Sequence, residues 1–450
     1  MTVLIVHPAT SPLVGSVHVP SDKSIGHRVL LLGALCEGDS HIADFSHGED
    51  NVSTANALRA MGVVIDEPSP TDLVVHGVGL TGLKDPDHDL DCGNSGTTMR
   101  LLCGVLAAAR FRSTLVGDET LSRRPMMRVA GPLRARGAVV EGRAHPTRER
   151  EIVAPLVLGP LPEGRDLAAL EYESPVSSAQ VKSAVLLSGL YATGVTRFRE
   201  PTLSRDHTER LLGALGCPVR SVGSVVELDP SRWDRRMPAL NVSIPGDLSA
   251  AAFLVVAAQL VPGSRVTTRG VGINPTRTGL LEIARDMGAG LAVGAQDERG
   301  GEPVAELQAW SAPLRAGVIG GETVARAIDE IPIACALAAR ARGTTRIRDA
   351  QELRHKESDR IASMARVLRA FGVSCEELPD GLDIVGREEP LEPADVESRG
   401  DHRIAMTASV LALAAKAPTR VRDAGCIATS YPKFVATLRA LGARVDVESG

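Results

Sequence analysis

The chain has 450 residues, 44% apolar and 23% charged, with a net charge of −5; this is a globular composition too long for one core, so two domains are expected. The acidic balance and an aromatic content of 2% exclude a nucleic-acid-coating protein, which needs a basic face and rings to stack on bases. Seven cysteines without a CxxC pair point to reduced thiols in the cytoplasm, and the 11 histidines are scattered without HExxH or other metal-ligand spacing, so no metal is expected. No apolar run reaches membrane-spanning length, and the first residues carry neither a basic signal region nor an Arg-rich transit pattern.

The first strand falls at TVLIV, residues 2–6. An internal repeat then runs through the whole chain: ALRAMGVVI, LRARGAVVE, LGALGCPVR, ARDMGAGLAV, LRAFGVSCE and LRALGARVDV share glycines at 62, 137, 216, 288, 372 and 442. Each copy reads as an amphipathic helix, a glycine at its C-terminal cap and a short strand. The intervals of 75, 79, 72, 84 and 70 residues are too long for a solenoid, so six copies of one α/β unit, three per half, are expected. The halves divide near Arg236-Met-Pro238, where the third copy has ended; ALNVSI then reads as a strand and SAAAFLVVAAQL as a helix.

PSDKSIGHR (20–28) starts a helix with Ser21 or Asp22 as cap and Lys23, Ser24 and Arg28 near its N-terminal end. On its own the segment reads as a solvated amphipathic helix. Gly77-Val-Gly-Leu-Thr-Gly82 matches the dinucleotide fingerprint, but LKDPDHD follows where a helix is required. It is a loop at a strand end, and no nucleotide cofactor is expected. DCGNSGTTMR (91–100) is a turn feeding a helix capped by Asn94 or Ser95, with Met99, Leu101, Leu102, Val105 and Leu106 on its apolar side. Gly93 and Gly96 would let an anion approach the free N–H groups and the positive end of that helix, with Arg100 one turn in and Arg124 following in LSRRPM.

SPVSSAQVKSAVLLSGL (174–190) begins a helix with Ser178 and Gln180 in or near its first turn and Lys182 reading as solvated. In TLSRDHTER, Arg205 precedes Asp206, a plausible cap. AIDEIPIACALAA places Asp329 and Glu330 before an apolar helix, as the macrodipole alone would favour. RHKESDRIASM puts Lys356 and Arg360 on one helix face at i, i+4; like charges on one face make sense around an anion, or are neutralised by Glu357 and Asp359 beside them. RGDHRIAM repeats the pattern with Asp401 as cap and Arg403 behind it. Only six of the 50 basic residues are lysines, so a lysine inside a motif is expected to serve for its compact ammonium; Lys23 and Lys356 stand out.

Together, PSDKSIGHR, GNSGTTMR, RRPM, SAQVKSA, RDHTER, DEIP, KESDR and DHRIAM resemble the 5-enolpyruvylshikimate-3-phosphate synthase family, in the family's order. The resemblance implies a two-domain inside-out α/β barrel of six βαβαββ units, with residues 1–20 plus 239–450 as one lobe, 21–238 as the other, and closure on substrates at the hinge. It implies transfer of the enolpyruvyl group of phosphoenolpyruvate to the 5-hydroxyl of shikimate 3-phosphate, with release of phosphate and no cofactor. Two substrates carrying roughly five to six negative charges require many cations. Carried over by position, Lys23, Ser24, Arg28, Ser178, Ala179, Arg205, Asp329 and Lys356 would hold the shikimate part, and Lys23, Gly96, Arg124, Gln180, Arg360 and Arg403 the phosphoenolpyruvate, with Asn94 beside them. Asp329 would be the base, with Lys23 and Glu357 as proton-transfer groups. The resemblance further implies a cytoplasmic monomer and a glyphosate target. The chain departs from part of the family at ATSYPKF, where Thr429 stands in place of a lysine. A UDP-N-acetylglucosamine enolpyruvyl transferase would be expected to have an asparagine after the first lysine and a mobile-loop cysteine; here Ser24 follows Lys23, and residues 110–124 contain no cysteine. An inactive anion-binding paralogue would need neither Asp329 nor Glu357.

Overall fold

The computed structural model describes residues 2–449. These form two compact units: unit 1 comprises 1–20, 245–298 and 303–450, and unit 2 comprises 21–244 and 299–302. Each unit has its own apolar core.

The repeat is visible in the backbone. All six shared glycines have positive φ, from 73° at Gly372 to 104° at Gly442, the left-handed conformation that ends a helix and turns the chain into a strand. They follow the helices Glu49–Ala60, Met127–Ala135, His207–Ala214, Gly279–Asp286, Arg360–Ala370 and Phe434–Ala440. Among the described residues there are six sheets, three per unit. In the sheet containing Leu170–Glu173, Thr196–Arg199, Val225–Leu228 and Val219–Val222, the first pair is parallel and the other two antiparallel. Helices Ala179–Gly189 and His207–Ala214 connect its strands, which is βαβαββ in chain order.

Two of the units are closed by strands from elsewhere in the chain. Asn241–Ser243 pairs in parallel with Glu37–Ala43 inside unit 2, and Thr2–Val6 lies between Thr419–Arg422 and Val445–Ser449 inside unit 1. The strand ALNVSI was expected to open the other lobe; because its backbone bonds go to Glu37–Ala43, unit 2 continues to Ile244, past the expected boundary at 238. Residues 299–302 also belong to unit 2, an excursion that nothing in the composition signals.

The second helix set explains the inside-out arrangement. Leu248–Leu260 and His402–Ala412 are buried at every residue, and Ile331–Arg340 nearly so; in unit 2 the matching helices are Lys23–Leu35, Gly96–Val105 and Ala179–Gly189. Helices apolar all round belong in an interior, and within each unit the sheets pack outside them. Lys23–Leu35 is therefore not the solvated helix its N-terminal sequence suggested: Ile25 to Leu35 are all buried, His27 and Arg28 included. Gly104 allows two of these helices to approach closely, since a methyl there would lie 2.5 Å from the Ala184 carbonyl oxygen of the neighbouring helix.

Candidate functional site

In unit 2 the three buried helices each begin with a side-chain cap. Asp22 Oδ1 accepts from the Ile25 N–H at 3.0 Å, Ser95 Oγ from the Thr98 N–H at 3.1 Å, and Ser178 Oγ from the Val181 N–H at 3.4 Å. Their N-terminal turns are cross-linked. Gln180 Nε2 donates to Thr97 Oγ1 at 2.8 Å, Arg100 Nη1 donates to Gln180 Oε1 at 2.7 Å, and Arg28 Nη2 donates to Ser183 Oγ at 2.7 Å. The positive ends of three macrodipoles are thereby gathered, a setting that favours an anion.

The cations of unit 2 surround these helix starts. Lys23 Nζ pairs with Asp50 at 2.7 Å, and both side chains keep some exposure. Arg28 is buried, donating to Thr208 Oγ1, Ser183 Oγ and the Ser24 carbonyl, each at 2.7 Å. Burial lowers its pKa to about 10; Glu209 and Asp22 oppose the fall, and Arg205 adds to it. A methyl on Gly96 would meet Arg100 Nη1 at 2.7 Å and Arg124 Nη1 at 2.9 Å, so the absent side chain leaves two guanidinium groups beside the helix start. Beneath them runs a buried polar chain: His27 Nδ1 to Thr54 Oγ1 at 2.7 Å, Thr54 Oγ1 to Thr98 Oγ1 at 2.7 Å, and Thr98 Oγ1 to Ser95 Oγ at 2.9 Å. Burial, with Lys23 and Arg28 nearby, holds the His27 pKa well below its ordinary value, so the ring adds no further positive charge.

In unit 1 the centre is Arg360, whose side chain is 1% exposed. Its Nε donates to Asp401 Oδ2 at 2.9 Å, Nη1 to Asp329 Oδ1 at 3.3 Å and Nη2 to Glu357 Oε2 at 2.5 Å. Burial opposes its charge, but Asp401, Glu357 and Asp329 outweigh burial and raise its pKa. Burial likewise works against the Asp401 carboxylate, and Arg360 outweighs it, leaving that carboxyl below its usual range. Lys356 Nζ reaches Asp329 Oδ1 at 3.2 Å, and Arg403 Nη1 donates to the Asp329 carbonyl at 2.8 Å. Glu330, also buried, accepts from Ser249 and lies 3.5 Å from Arg403 and 3.9 Å from Arg277.

The comparisons with known proteins decide the family. A family model described as EPSP synthase (3-phosphoshikimate 1-carboxyvinyltransferase) matches residues 8–438. A 3-phosphoshikimate 1-carboxyvinyltransferase of Geobacter metallireducens is 49% identical over 432 residues, covering 96% of this chain and 97% of that one. One of Geobacter sulfurreducens is 48% identical over 438 residues, covering 97% and 99%. The chain belongs to the EPSP synthase family. A solved EPSP synthase from Acinetobacter baumannii is 39% identical with a TM-score of 0.87 over 100% of both chains. The enolpyruvyl transferase NikO from Streptomyces tendae, at 17% identity and a TM-score of 0.78 over 100% of this chain and 99% of that one, shares the fold.

Set against this family membership, the residues picked out in the sequence fall into two groups by unit. Lys23, Ser24, Arg28, Asn94, Gly96, Arg124, Ser178, Ala179, Gln180 and Arg205 lie in unit 2; Asp329, Lys356, Glu357, Arg360 and Arg403 lie in unit 1. Asn94 does not cap its helix: Ser95 does, and Asn94 Nδ2 donates to Asp118 at 2.6 Å. Asp206 holds the cap position of the next helix without a side-chain cap bond; its carboxylate takes Arg210 Nε at 2.9 Å instead. Lys356 and Arg360 do not share a helix face, because the helix starts only at Arg360, capped by Asp359. They meet at the Asp329 carboxylate rather than around an open anion seat. Lys182 is buried and paired, contrary to the solvated reading. Asp50 and Thr97 carry no local sequence signal, because their partners Lys23 and Gln180 are remote in sequence.

Among the described residues, one group of side chains has spacing compatible with a metal ion. Asp206, His207 and Glu302 place ligand atoms within 4.8 Å of one another. Each acid already faces a partner there: Arg210 takes Asp206, and His207 Nδ1 lies 2.7 Å from Glu302 Oε1. Among the described residues no helix is long and apolar enough to cross a membrane.

Proposed function

We infer that this chain is a 3-phosphoshikimate 1-carboxyvinyltransferase: it moves the enolpyruvyl group of phosphoenolpyruvate onto the 5-hydroxyl of shikimate 3-phosphate and releases phosphate, a step of aromatic amino acid biosynthesis leading to chorismate. The observation that carries this reading is the near-full-length identity to carboxyvinyltransferases. Release of inorganic phosphate when both substrates are supplied, and not with either alone, tests it.

In the reaction the 5-hydroxyl oxygen bonds to C2 of phosphoenolpyruvate and loses its proton while C3 gains one; phosphate then leaves C2 as C3 gives a proton back. Asp329 is the proposed base for the hydroxyl, and Glu357 and Lys23 handle the C3 proton. Their exposure supports this division: the side chains of Asp329, Glu357 and Lys23 are 14%, 19% and 18% exposed, whereas Arg360 and Asp401 are 1% and 0%. The three groups assigned to proton transfer thus retain access, and Arg360 and Asp401, which hold them, lie deeper. Arg360 aims Asp329 and Glu357 through two of its donors, and the two carboxylates offset positive charge developing at C2.

For binding, Lys23, Ser24, Arg28, Ser178, Ala179, Arg205, Asp329 and Lys356 are assigned to shikimate 3-phosphate. Lys23, Asn94, Gly96, Arg124, Gln180, Arg360 and Arg403 are assigned to phosphoenolpyruvate. Three capped helix starts in unit 2 suit phosphate and carboxylate groups. The enzyme is proposed to act as a cytoplasmic monomer, with no nucleic-acid or membrane partner and no cofactor, and to be a glyphosate target through the space beside Gly96.

A further inference from the structure

Lys182 sits one turn into the helix Ala179–Gly189 with 2% of its side chain exposed, and its ammonium has three acceptors. Glu200 Oε1 lies at 2.9 Å, Glu209 Oε1 at 2.8 Å and the Ser204 carbonyl at 3.1 Å. Glu200 Oε1 also accepts from the Ser204 N–H at 2.8 Å and the Ser204 hydroxyl at 3.0 Å. The segment between the strand Thr196–Arg199 and the helix His207–Ala214 is thus fastened at both Glu200 and Ser204 to one buried cation, and Arg205 is the next residue. Ser183, adjacent to Lys182, holds Arg28 Nη2, and Thr208, adjacent to Glu209, holds Arg28 Nε. One turn of one helix therefore fixes both Arg28 and the segment that carries Arg205.

Stability alone does not call for this arrangement. Burying one lysine between two glutamates is expensive, and apolar residues of similar volume commonly do as well or better. The second oxygens of Glu200 and Glu209 are buried with no hydrogen-bond partner among the described residues, a further cost. Burial opposes the Lys182 charge and the two carboxylates outweigh it, keeping the lysine cationic; at Glu209 burial outweighs the lysine and pushes the carboxyl up. What the network achieves is geometry. Arg205 is held near enough to Arg28 for its charge to disfavour that of Arg28, and an anion brought between the two guanidinium groups would relieve that repulsion.

We propose that Lys182 is a positioning residue for the shikimate 3-phosphate side of the reaction: by tying Glu200, Ser204 and Glu209 to its helix, it presents Arg205 and Arg28 as a preformed anion seat. This rests on the carboxyvinyl-transfer reading and on the assignment of Arg28, Ser178 and Arg205 to that substrate.

The test compares wild type, Lys182→Met and the triple variant Lys182→Met/Glu200→Gln/Glu209→Gln, which removes the stranded carboxylates along with the lysine. The KM for shikimate 3-phosphate is expected to rise roughly ten- to a hundredfold in both variants, the scale of a misplacement of about 1 Å. The KM for phosphoenolpyruvate and kcat at saturation should change less than about threefold, and the triple variant should regain most of the thermal stability that the single one loses. Amide hydrogen exchange across 201–206 should be faster in both variants, a readout independent of the substrate assignment. A folded variant with wild-type KM for shikimate 3-phosphate, an equal rise in both KM values, unchanged exchange at 201–206, or failure of both variants to fold would each overturn the proposal. Absence of phosphate release by the wild type would instead strike the functional reading, and the exchange comparison would still judge the positioning role.

Discussion

Arg28 and Arg360 are both buried arginines close to a helix start, and the protein holds them in opposite ways. Arg28, in unit 2, donates to two hydroxyls and a carbonyl, and burial lowers its pKa to about 10. Arg360, in unit 1, donates to three carboxylates, which raise its pKa despite equal burial. A buried guanidinium with neutral partners keeps an unmet demand for negative charge; one ringed by carboxylates has met it. The difference separates two tasks. On the proposed assignments, Arg28 offers charge to an anionic substrate, and Arg360 holds the carboxylates proposed to move protons.

The largest expected effect lies on the Arg360 side. Asp329→Ala removes the proposed base while Asp401 and Glu357 still hold Arg360, so turnover should fall by roughly two to four orders of magnitude in a protein that stays folded. Stopped-flow or steady-state phosphate release measures this. Near-normal turnover at an unchanged melting temperature would remove Asp329 from the chemistry.

On the Arg28 side, Gly96→Ala should act on binding. The added methyl would push against the guanidinium ends of Arg100 and Arg124, flexible groups that can yield, at a cost of about 1–3 kcal/mol or roughly ten- to a hundredfold in affinity. Glyphosate, the longer occupant, should lose more affinity than phosphoenolpyruvate. Inhibition measured in competition with phosphoenolpyruvate checks this; equal losses, or a parent enzyme already insensitive, would reject the steric role of Gly96.

The smallest effect comes from an exposed charge network in unit 2 that neither arginine joins. His76 lies between Asp66 and Asp39, whose hydrogen bonds raise its pKa above the usual histidine value. A raised folded-state pKa contributes stability below the unfolded value near 6.5 and loses it as pH rises through the folded value. His76→Gln should therefore lower the melting temperature at pH 5.5 and leave it unchanged at pH 8.5. Because the ring is exposed, the cost stays below about 1 kcal/mol. A change of equal size at both pH values would show that the loss is not electrostatic.

What the sequence makes legible follows from range. The six helix-capping glycines are local features, so the repeat of six α/β units can be read from strings such as LRALG, whereas the inside-out architecture follows only from the family resemblance. The helix starts at Asp22 and Ser95 are equally local. Lys182 is different: its polar neighbours in SAQVKSA suit a wet helix, and its carboxylates arrive 18 residues later at Glu200 and further on at Glu209. The scarcity of lysine is a usable signal there: with only six lysines in the chain, one inside a motif stands out at Lys182 as much as at Lys23 and Lys356. The three acids on Arg360 come from separate segments, Asp401 being 41 residues away. A single string cannot show that Lys356 and Arg360 converge on Asp329. The closing strand Asn241–Ser243 was misplaced for the same reason: its partner Glu37–Ala43 lies some 200 residues earlier, at His41 for Asn241.

The contrast between the two arginines is tested most directly by replacing each with methionine and recording melting temperature with and without saturating shikimate 3-phosphate. Arg360→Met strands three carboxylates and should cost about 3–5 kcal/mol without ligand. Arg28→Met leaves Ser183 and Thr208 still hydrogen-bonded to each other at 2.7 Å and should cost no more than ~2 kcal/mol, yet it should abolish most of the ligand-dependent stabilisation seen in the wild type. Equal losses without ligand, or full ligand stabilisation of Arg28→Met, would contradict the division of roles.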